Sequence, residues 1–554
     1  MKKKGVVLTV VIFTVATMLS GCGLIDSLGW GDKKKAAPAE EEKEKQVLRM
    51  TTEADPPTLD SATALDGSSF NVLNNVMEGL MRLDKDNKPQ PAMAEAMPKV
   101  SADKKSYTFK IRKNAKWSDG KAVKAQDFVY AWKRALNPRL KLQSAVILFP
   151  IVNAQAYYGG QLPETTLGIK ALDDRTLQVN LRYPTPYFLS MLASAAYLPQ
   201  RQDIVKKYGQ EYGTNKDTMV YNGPFILSKW KHEQGYQYKK NKGYWDAKTV
   251  QLEKADVKIV SDSVSAMNDY TSNRSDLSPL SDKLVKAFQS GNEYQSVDRG
   301  ATFLLVFNNR MKFFQNKKIR KALSLAIDRD ELVNGVMKNG SRPAKGMVPD
   351  GIDDAHGKTF RKDAGTLTHY DAAEAKQLLN EGMKELGIST PPTLQLSVND
   401  DDRKKIALFL KNEWKNNLGI DVSISPRAIK QKLAAEQRGM FNLSLVRWIG
   451  RYNDPMSFLE IGYSQSQVNF GRWSNADFDR LMEKSKVTKD LKQRNEDLVK
   501  AEKIVMDDAG VSPLFYESQA YVQKPYVKQL YRLPIGPEYS LKWTYIQGRE
   551  QQPK

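Results

Sequence analysis

Stretches of regularly spaced apolar side chains predict β-strands in the first half of this chain. Every second residue is apolar over Tyr107–Ile111, which is the period of a strand with one buried face. Leu177–Leu181 repeats this alternation after an acidic turn at residues 173–174. In contrast, Phe303–Phe307 is apolar throughout, which suits a strand that is buried on both faces. The chain therefore combines half-buried and fully buried strands.

Apolar residues three and four positions apart predict amphipathic helices over Ile319–Ala326 and again over Leu491–Val505. Asp328 followed by Glu331 has the sequence of a capping box, which predicts a further helix that continues to Met337. We detect no internal repeat. The pattern predicts an α/β protein, with a strand-rich domain before residue 220 that is distinct from a helix-rich domain after residue 310.

The N-terminus has the layout of a cleavable secretory signal. Three lysines at residues 2–4 precede a mostly apolar run from 5 to 19, which is shorter than the roughly 20 residues that span a bilayer. Leu19–Cys22 resembles the lipobox of bacterial lipoproteins and contains the only cysteine of the chain. That resemblance implies that Cys22 is acylated and, with two or more acyl chains, anchors the protein stably in a membrane. The alternative is an ordinary signal with an incidental cysteine.

Composition sets the broad class of the mature chain, residues 22–554. It is long enough for two or three domains, and 41% hydrophobic with 27% charged residues indicates a soluble globular body. Without the three signal lysines, 82 basic and 64 acidic residues leave a net charge of +18. The basic residues are dispersed and form no arginine-rich stripe with aromatics, so nucleic acid is not an expected partner. Residues 22–46 are polar and predict a disordered tether.

Motifs in a fixed order resemble those of the bacterial extracellular solute-binding proteins of family 5, the oligopeptide- and dipeptide-binding lipoproteins of ABC importers. The central motif is Tyr107–Lys121, with Lys116-Trp117-Ser118-Asp119-Gly120 inside it, followed by Asp127–Arg134. The other matching segments are Pro57–Asp60, Tyr221–Phe225, Asn241–Asp246, Ile319–Arg329, Tyr452–Pro455 and Pro513–Leu514. The resemblance runs from about residue 47 to 545.

The resemblance implies a two-lobed, type II periplasmic-binding-protein-like fold with an additional strand-rich domain and a hinged cleft between the lobes. After the signal peptide (1–21) and the tether (22–46), domain I would comprise 47–67, 222–308 and 526–554. Domain II would be 68–221 and domain III 309–525. Most motif residues are expected to be structural: Trp117 and Trp132 as core, Asp119-Gly120 as a turn and Asp328 as a helix cap.

The resemblance also implies where a ligand would bind. An extended peptide would lie in the cleft, held by strand-like hydrogen bonds to its backbone. The residues carried over by position are Ala54, Asp55, Pro56 and Pro57 on domain I and Arg447, Trp448, Ile449 and Gly450 on domain III. Trp448 has the alternative of being a core aromatic.

Arg451 departs from the family pattern. Peptide-binding relatives commonly carry an aspartate at this point, before the Tyr-Asn-x-Pro segment, where it pairs with the ammonium group of the peptide. Two like charges about 4 Å apart repel by roughly 4 kcal/mol at an effective dielectric constant of about 20, which is near a thousandfold in affinity. Either Arg451 points elsewhere, for instance to Asp454, or the protein does not bind a free amino terminus in the usual way. Asp55 is the candidate for the missing negative charge.

The resemblance implies a monomeric binding protein on the extracellular face of the cell membrane of a bacterium that we expect to be Gram-positive. We expect it to bind no cofactor and no metal. It would capture oligopeptides and deliver them to the permease subunits of an ABC transporter. Alternatives are an N-blocked or signalling peptide, an oligosaccharide or a metal complex as ligand, and a secreted hydrolase. Against an enzyme, the chain has three dispersed histidines and lacks Gly-x-Ser-x-Gly, His-Glu-x-x-His and phosphate-loop motifs.

Overall fold

A computed structural model describes residues 46–549 except 355, 356, 358 and 402. The signal peptide, Cys22, the tether up to residue 45 and the last five residues of predicted domain I lie outside the described residues. The described part belongs to one compact unit. None of its helices is both long enough and apolar enough to cross a membrane.

The structure alternates strands with helices along the chain. The strands are β1 (Val47–Thr52), β2 (Met81–Leu83), β3 (Pro89–Pro91), β4 (Lys99–Val100), β5 (Ser106–Lys110), β6 (Ile169–Asp173), β7 (Thr176–Asn180), β8 (Phe225–Lys231), β9 (Gly235–Lys240), β10 (Lys254–Ile259), β11 (Leu277–Pro279), β12 (Tyr294–Phe307), β13 (Arg342–Pro343), β14 (Leu394–Asn399), β15 (Val422–Arg427), β16 (Leu443–Ile449), β17 (Val511–Gln523), β18 (Val527–Lys528), β19 (Tyr531–Arg532), β20 (Tyr539–Ser540) and β21 (Tyr545–Ile546).

The α-helices are α1 (Gly67–Val76), α2 (Ala125–Ala135), α3 (Ala154–Tyr158), α4 (Phe188–Met191), α5 (Gln202–Tyr208), α6 (Ser263–Thr271), α7 (Asp282–Phe288), α8 (Lys312–Gln315), α9 (Lys317–Leu325), α10 (Arg329–Glu331), α11 (Phe360–Ala364), α12 (Ala372–Leu386), α13 (Lys404–Leu418), α14 (Ile429–Arg438), α15 (Met456–Leu459), α16 (Ala476–Val487) and α17 (Leu491–Asp507). Short 3-10 turns occupy Gln143–Leu148, Glu164–Thr166, Ala195–Tyr197 and Gly209–Glu211, and Leu332–Met337 is a π-helix.

Two long antiparallel strands, β12 and β17, connect the two lobes of the molecule. The main sheet has the order β15-β14-β16-β12-β17-β11-β1-β10-β9-β8, so these two strands lie at its centre. The first half of β12 pairs with the end of β17, and its second half pairs with the beginning of β17 and with β16. The register is broken between Asp298 and Thr302. A smaller shift follows between Phe303 and Leu304. We interpret the break at 298–302, where β12 passes from one lobe to the other, as the hinge between the lobes.

Each lobe has its own apolar core. In the first lobe, one continuous cluster runs from Leu48 to Val257 and takes in residues 527–546. The four-stranded sheet β4-β5-β7-β6 belongs to this lobe. In the second lobe, the sheet is covered on both faces by separate clusters. The bounds of domains I, II and III stay predictions.

The structure confirms the periodicity arguments. Phe303, Leu305 and Phe307 lie in one core cluster of the second lobe, and Leu304 and Val306 lie in the other, so β12 is buried on both faces. The two alternating segments form β5 and β7, which pair with each other antiparallel. The predicted amphipathic helices are α9 and α17. Trp117 and Trp132 are fully buried, as expected of core residues.

The predicted capping box at Asp328 is only half correct. The Asp328 carboxylate does cap the helix, accepting a hydrogen bond from the Glu331 backbone N–H at 2.9 Å. The Asp328 N–H, however, donates to Glu413 Oε2 at 2.9 Å rather than to Glu331. Glu331 instead lies against Gly335, where an added Cβ would collide with its carboxylate. The helix continues past Glu331 as a π-helix over Leu332–Met337.

Gly300 occupies the break in β12, and we predict that Gly300→Ala destabilises the fold by more than its backbone angle alone explains. Its φ is +47°, and an added Cβ would lie 2.7 Å from the carbonyl oxygen of Pro534. The left-handed conformation costs a non-glycine residue about 1–2 kcal/mol, and overpacking adds about 1–3 kcal/mol. Urea unfolding followed by circular dichroism measures the change in the free energy of unfolding.

Gly387→Ala is the matched control. Gly387 also has positive φ, +68°, at the end of α12, but nothing lies within 4 Å of an added Cβ. We expect the free energy of unfolding of this control to fall only by the cost of the left-handed backbone, about 1–2 kcal/mol. Equal losses for the two variants would contradict the close packing at the hinge.

Candidate functional site

A cavity of about 1460 Å³ lies between the two lobes. The first lobe contributes residues of α1, of the 143–161 segment and of 182–198, and the second lobe contributes α14 and the end of β16. Arg299, at the break in β12, and the 534–538 loop complete the lining. The break in β12 therefore forms part of the cavity wall.

The end of β16 brings five sequence-predicted residues to this wall: Arg447, Trp448, Ile449, Gly450 and Arg451. Their position follows from the pairing of β16 with β12, in which Ile449 lies opposite Ala301. The Gly450 N–H then donates to the carbonyl of Gly300 at 3.0 Å, directly at the break. A Cβ on Gly450 would lie within 2.7 Å of Ile535 and Phe458 side-chain atoms, so this position has no room for a larger residue.

Trp448 is both a core residue and a lining residue. It is 9% exposed and packs in a core cluster of the second lobe. Its indole N–H donates to the carbonyl of Ser457 at 2.8 Å, which fixes the ring. The Ser457 hydroxyl in turn accepts the Arg451 N–H at 2.7 Å, so Ser457 fixes the positions of both Trp448 and Arg451.

Arg451 pairs with Glu460 rather than with Asp454. Its Nη1 lies 3.3 Å from Glu460 Oε1, and its guanidinium lies 5.5 Å from the Trp448 ring centroid. The expectation of a pair with Asp454 is wrong, because both oxygens of Asp454 accept from the buried guanidinium of Arg494 at 2.8 Å. Burial raises the pKa of Glu460, and the charge of Arg451 partly opposes that shift. Arg451 itself remains 39% exposed.

The predicted segment Ala54–Pro57 does not lie among the residues that line the cavity. The Asp55 carboxylate accepts from the indole N–H of Trp230 at 3.0 Å and lies 2.6 Å from His232 Nδ1. It is thus engaged by side chains on and next to β8. Contact between this segment and a ligand stays a prediction, and so does a role of Asp55 as the negative charge of the site.

Sequence reasoning missed the apolar lining apart from Ile449. Five large hydrophobic side chains of the wall are exposed by 40–66%: Leu65, Val146, Ile429, Leu433 and Ile449. Exposed apolar surface in a cavity is typical of ligand-binding sites. A signal existed on α14, where Ile429 and Leu433 lie one turn apart on a helix whose other residues are mostly charged or polar.

Charged side chains of the wall are mostly paired. Glu78 accepts from Arg82 Nε at 2.8 Å and from the Tyr244 hydroxyl at 2.6 Å, and Glu538 accepts from Arg299 at 3.0 Å. Arg447 forms a forked pair with Glu517, which lies on β17. On α14, Lys432 pairs with Glu436. Carboxylates that line the cavity are therefore already engaged by cations of the protein.

Tyr187 of the first lobe contacts the second lobe beside the cavity. Its ring stacks on Tyr452 with centroids 4.3 Å apart and an interplanar angle of 5°. Arg494 lies over the Tyr187 ring at 5.4 Å, and the Tyr187 hydroxyl donates to Met456 Sδ at 3.5 Å. Burial raises the pKa of Tyr187 to about 12, so the ring is neutral at physiological pH. This contact joins the two lobes beside the cavity.

Comparisons with known proteins agree with this architecture. The model of the bacterial extracellular solute-binding proteins, family 5 middle, matches residues 88–470. The chain is 36% identical over 527 residues to the dipeptide-binding protein DppE of Bacillus subtilis (strain 168), covering 95% of this chain and 96% of that protein.

Solved structures also resemble the structure of this chain. The substrate-binding domain of an oligopeptide ABC transporter from Bacillus anthracis str. Ames is 38% identical with a TM-score of 0.77, covering 91% of this chain and 99% of that one. Listeria monocytogenes OppA bound to peptide is 36% identical, also with a TM-score of 0.77, covering 91% of this chain and all of that one. The predicted two-lobed, type II periplasmic-binding-protein-like fold is thereby confirmed.

Because the Tyr187–Tyr452 stack holds the two lobes together beside the cavity, we predict that Tyr187→Ala weakens ligand binding. An aromatic pair contributes about 0.5–1.5 kcal/mol beyond buried area, so affinity for a peptide should fall about two- to tenfold. Tyr187→Phe keeps the stack and should bind almost as the wild type does. Isothermal titration calorimetry measures both. Tyr370→Ala, at an exposed tyrosine outside the lining, is the control; unchanged affinity in Tyr187→Ala would contradict the role of the stack.

Proposed function

We propose a peptide-capturing function for this chain, which belongs to the bacterial extracellular solute-binding proteins of family 5. In this proposal the two lobes close on an oligopeptide, and the closed protein delivers it to the permease subunits of an ABC transporter. The observation that carries the proposal is the cavity of about 1460 Å³ bounded by both lobes and by the hinge. It exceeds the roughly 300–1,000 Å³ of small-molecule sites, so it suits a peptide of several residues.

The chemistry of the wall supports a peptide as the ligand. Neutral polar side chains can form hydrogen bonds with peptide groups, and they include Asn74, Gln143, Ser144, Asn153, Gln155 and Gln161. The exposed apolar side chains of the wall can contact ligand side chains. Hydrogen bonds to a peptide backbone give affinity without sequence choice, which a general importer needs. No step in this function requires catalysis, and we propose that the protein is not an enzyme.

Relatives support the same ligand class. Those at 30% identity or more include dipeptide- and oligopeptide-binding proteins, and one solved relative at 34% identity is described as the pheromone receptor PrgZ with its mode of peptide binding. Nutrient uptake and capture of a signalling peptide both use such a cavity. We propose oligopeptide uptake as the function, with a signalling peptide as the alternative ligand.

We further propose that the protein acts as a monomer anchored by lipid at Cys22 on the extracellular face of the cell membrane. The support is the sequence Leu19–Cys22 after the apolar run, together with the absence of any other cysteine in the chain. The polar residues 23–45 would then connect the anchor to the folded body.

Closure on a ligand is testable with the purified wild-type protein. Mass spectrometry of a native preparation should identify a retained peptide, and small-angle X-ray scattering should show a smaller radius of gyration when that peptide is added back. The reason is that binding energy favours the arrangement in which both lobes contact the ligand. A mixture of free amino acids is the control. Turnover of the peptide by the protein, or retention of another class of molecule, would contradict the proposal.

From the proposed lipid anchor, we predict that the mature wild-type protein begins at acylated Cys22 and sediments with membranes. Cys22→Ser should release the protein from the membrane fraction, since a serine hydroxyl cannot form the thioether to lipid. Cell fractionation and mass spectrometry of the N-terminal peptide measure both properties. Ser20→Ala is a control that keeps the cysteine. Wild-type protein found wholly in the medium, and cleaved at another bond, would contradict the anchor.

A further inference from the structure

The cavity wall carries more positive than negative side chains. Seven lysines and arginines line it, against three glutamates; the cations are Arg82, Arg182, Arg299, Arg403, Lys432, Arg447 and Arg451. Three of the cations pair with acids outside the lining: Arg403 with Asp401, Arg447 with Glu517 and Arg451 with Glu460. With these acids included, the wall still has one surplus positive charge.

The three lining glutamates are each engaged by a cation of the protein. Glu78 is buried and holds Arg82 as well as the hydroxyl of Tyr244 and the indole N–H of Trp245. Glu538 holds Arg299, and Glu436 holds Lys432 and the hydroxyl of Ser444. A ligand ammonium group would have to displace a cation of the protein to reach the buried Glu78 or Glu436, and at the 35% exposed Glu538 it would compete with Arg299.

Arg182 and Arg451 are the cations most open to a ligand. Within the described residues, Arg182 is exposed and forms hydrogen bonds with neutral groups only, the Gln155 amide oxygen at 3.1 Å and the Tyr183 hydroxyl at 3.5 Å. Arg451 has Glu460 beside it at 3.3 Å, yet its side chain stays 39% exposed. The two arginines belong to different lobes, Arg182 to the first and Arg451 to the second.

From this arrangement we propose that the cavity selects peptides by charge and prefers anionic ones: peptides with acidic side chains, and N-blocked peptides over those with a free ammonium group. This inference rests on the proposed peptide-binding function and specifies its substrate class. Specificity is a difference between two affinities, so a wall that repels ammonium groups selects as effectively as one that attracts carboxylates. The exposed apolar side chains then favour anionic peptides that also carry apolar residues.

The test is a titration series with one apolar peptide sequence and a single variable position. N-acetylated peptides carrying Glu, Gln or Lys at that position are compared by isothermal titration calorimetry, together with the Gln peptide in its free-amine form. We expect the Glu peptide to bind at least about tenfold more tightly than the Lys peptide. We also expect the acetylated Gln peptide to bind more tightly than its free-amine form. These differences should shrink as ionic strength rises, since salt screens exposed charges.

Variants identify the selecting residues. Arg182→Gln combined with Arg451→Gln removes two exposed charges while keeping long polar side chains, and the Arg451 backbone bond to Ser457 stays in place. We expect this double variant to lose most of the preference for Glu over Lys. Arg480→Gln, at an exposed arginine on α16 outside the lining, is the charge-matched control and should keep the wild-type preference.

The outcomes separate this inference from the proposed function. Equal affinity of the wild type for the Glu and Lys peptides, or an undiminished preference in the double variant, would overturn the charge selection and leave peptide binding intact. Failure of every peptide to bind the wild type would overturn the proposed function and the inference with it.

Discussion

The antiparallel pairing of β12 with β17 is the constraint on which the rest of the structure depends. These strands are hydrogen-bonded to each other within both lobes, and each lobe builds its sheet outward from them. The longer of the two breaks in this pairing lies between Asp298 and Thr302, where Gly300 adopts a positive φ against the 534–538 loop. Because Gly450 bonds directly to Gly300, the end of β16 and its lining residues are positioned by the same break. The hinge and the candidate binding wall are one structural feature.

A buried charge pair completes this arrangement next to the hinge. Asp454 and Arg494 are both almost inaccessible to solvent and form two hydrogen bonds of 2.8 Å. Such a pair adds little net stability because removing both charges from water offsets their attraction. We interpret its role as orientation: it fixes the segment after β16 so that Tyr452 faces Tyr187 of the other lobe. Because Arg494 occupies both oxygens of Asp454, Arg451 pairs with Glu460 instead.

Sequence periodicity predicted β5, β7, the second half of β12 and the helices α9 and α17, because each of these depends on local pattern. The residues at the end of β16 came instead from the family resemblance. Side-chain partners were harder to predict. Asp454 lies three residues from Arg451 but is bound by Arg494, 40 positions later, whereas Glu460 is the actual partner. Asp55 is likewise held by Trp230 and His232, which are remote in sequence. The lining from the first lobe was missed for the same reason: long-range packing, not local pattern, exposes Leu65 and Val146 to the cavity.

Charge selection in this cavity has a further physical consequence, because the two most open cations lie on opposite lobes. When the lobes are apart, Arg182 and Arg451 each act through water, where a unit charge at 4 Å contributes about 1 kcal/mol. Closure excludes water, so the same charges interact several times more strongly with the ligand. Discrimination between anionic and cationic peptides is therefore greatest after the lobes meet. A cationic peptide would enter the open cavity but oppose closure, and an anionic peptide would favour it. In such a protein the closing step, not the first encounter, determines which peptide is retained.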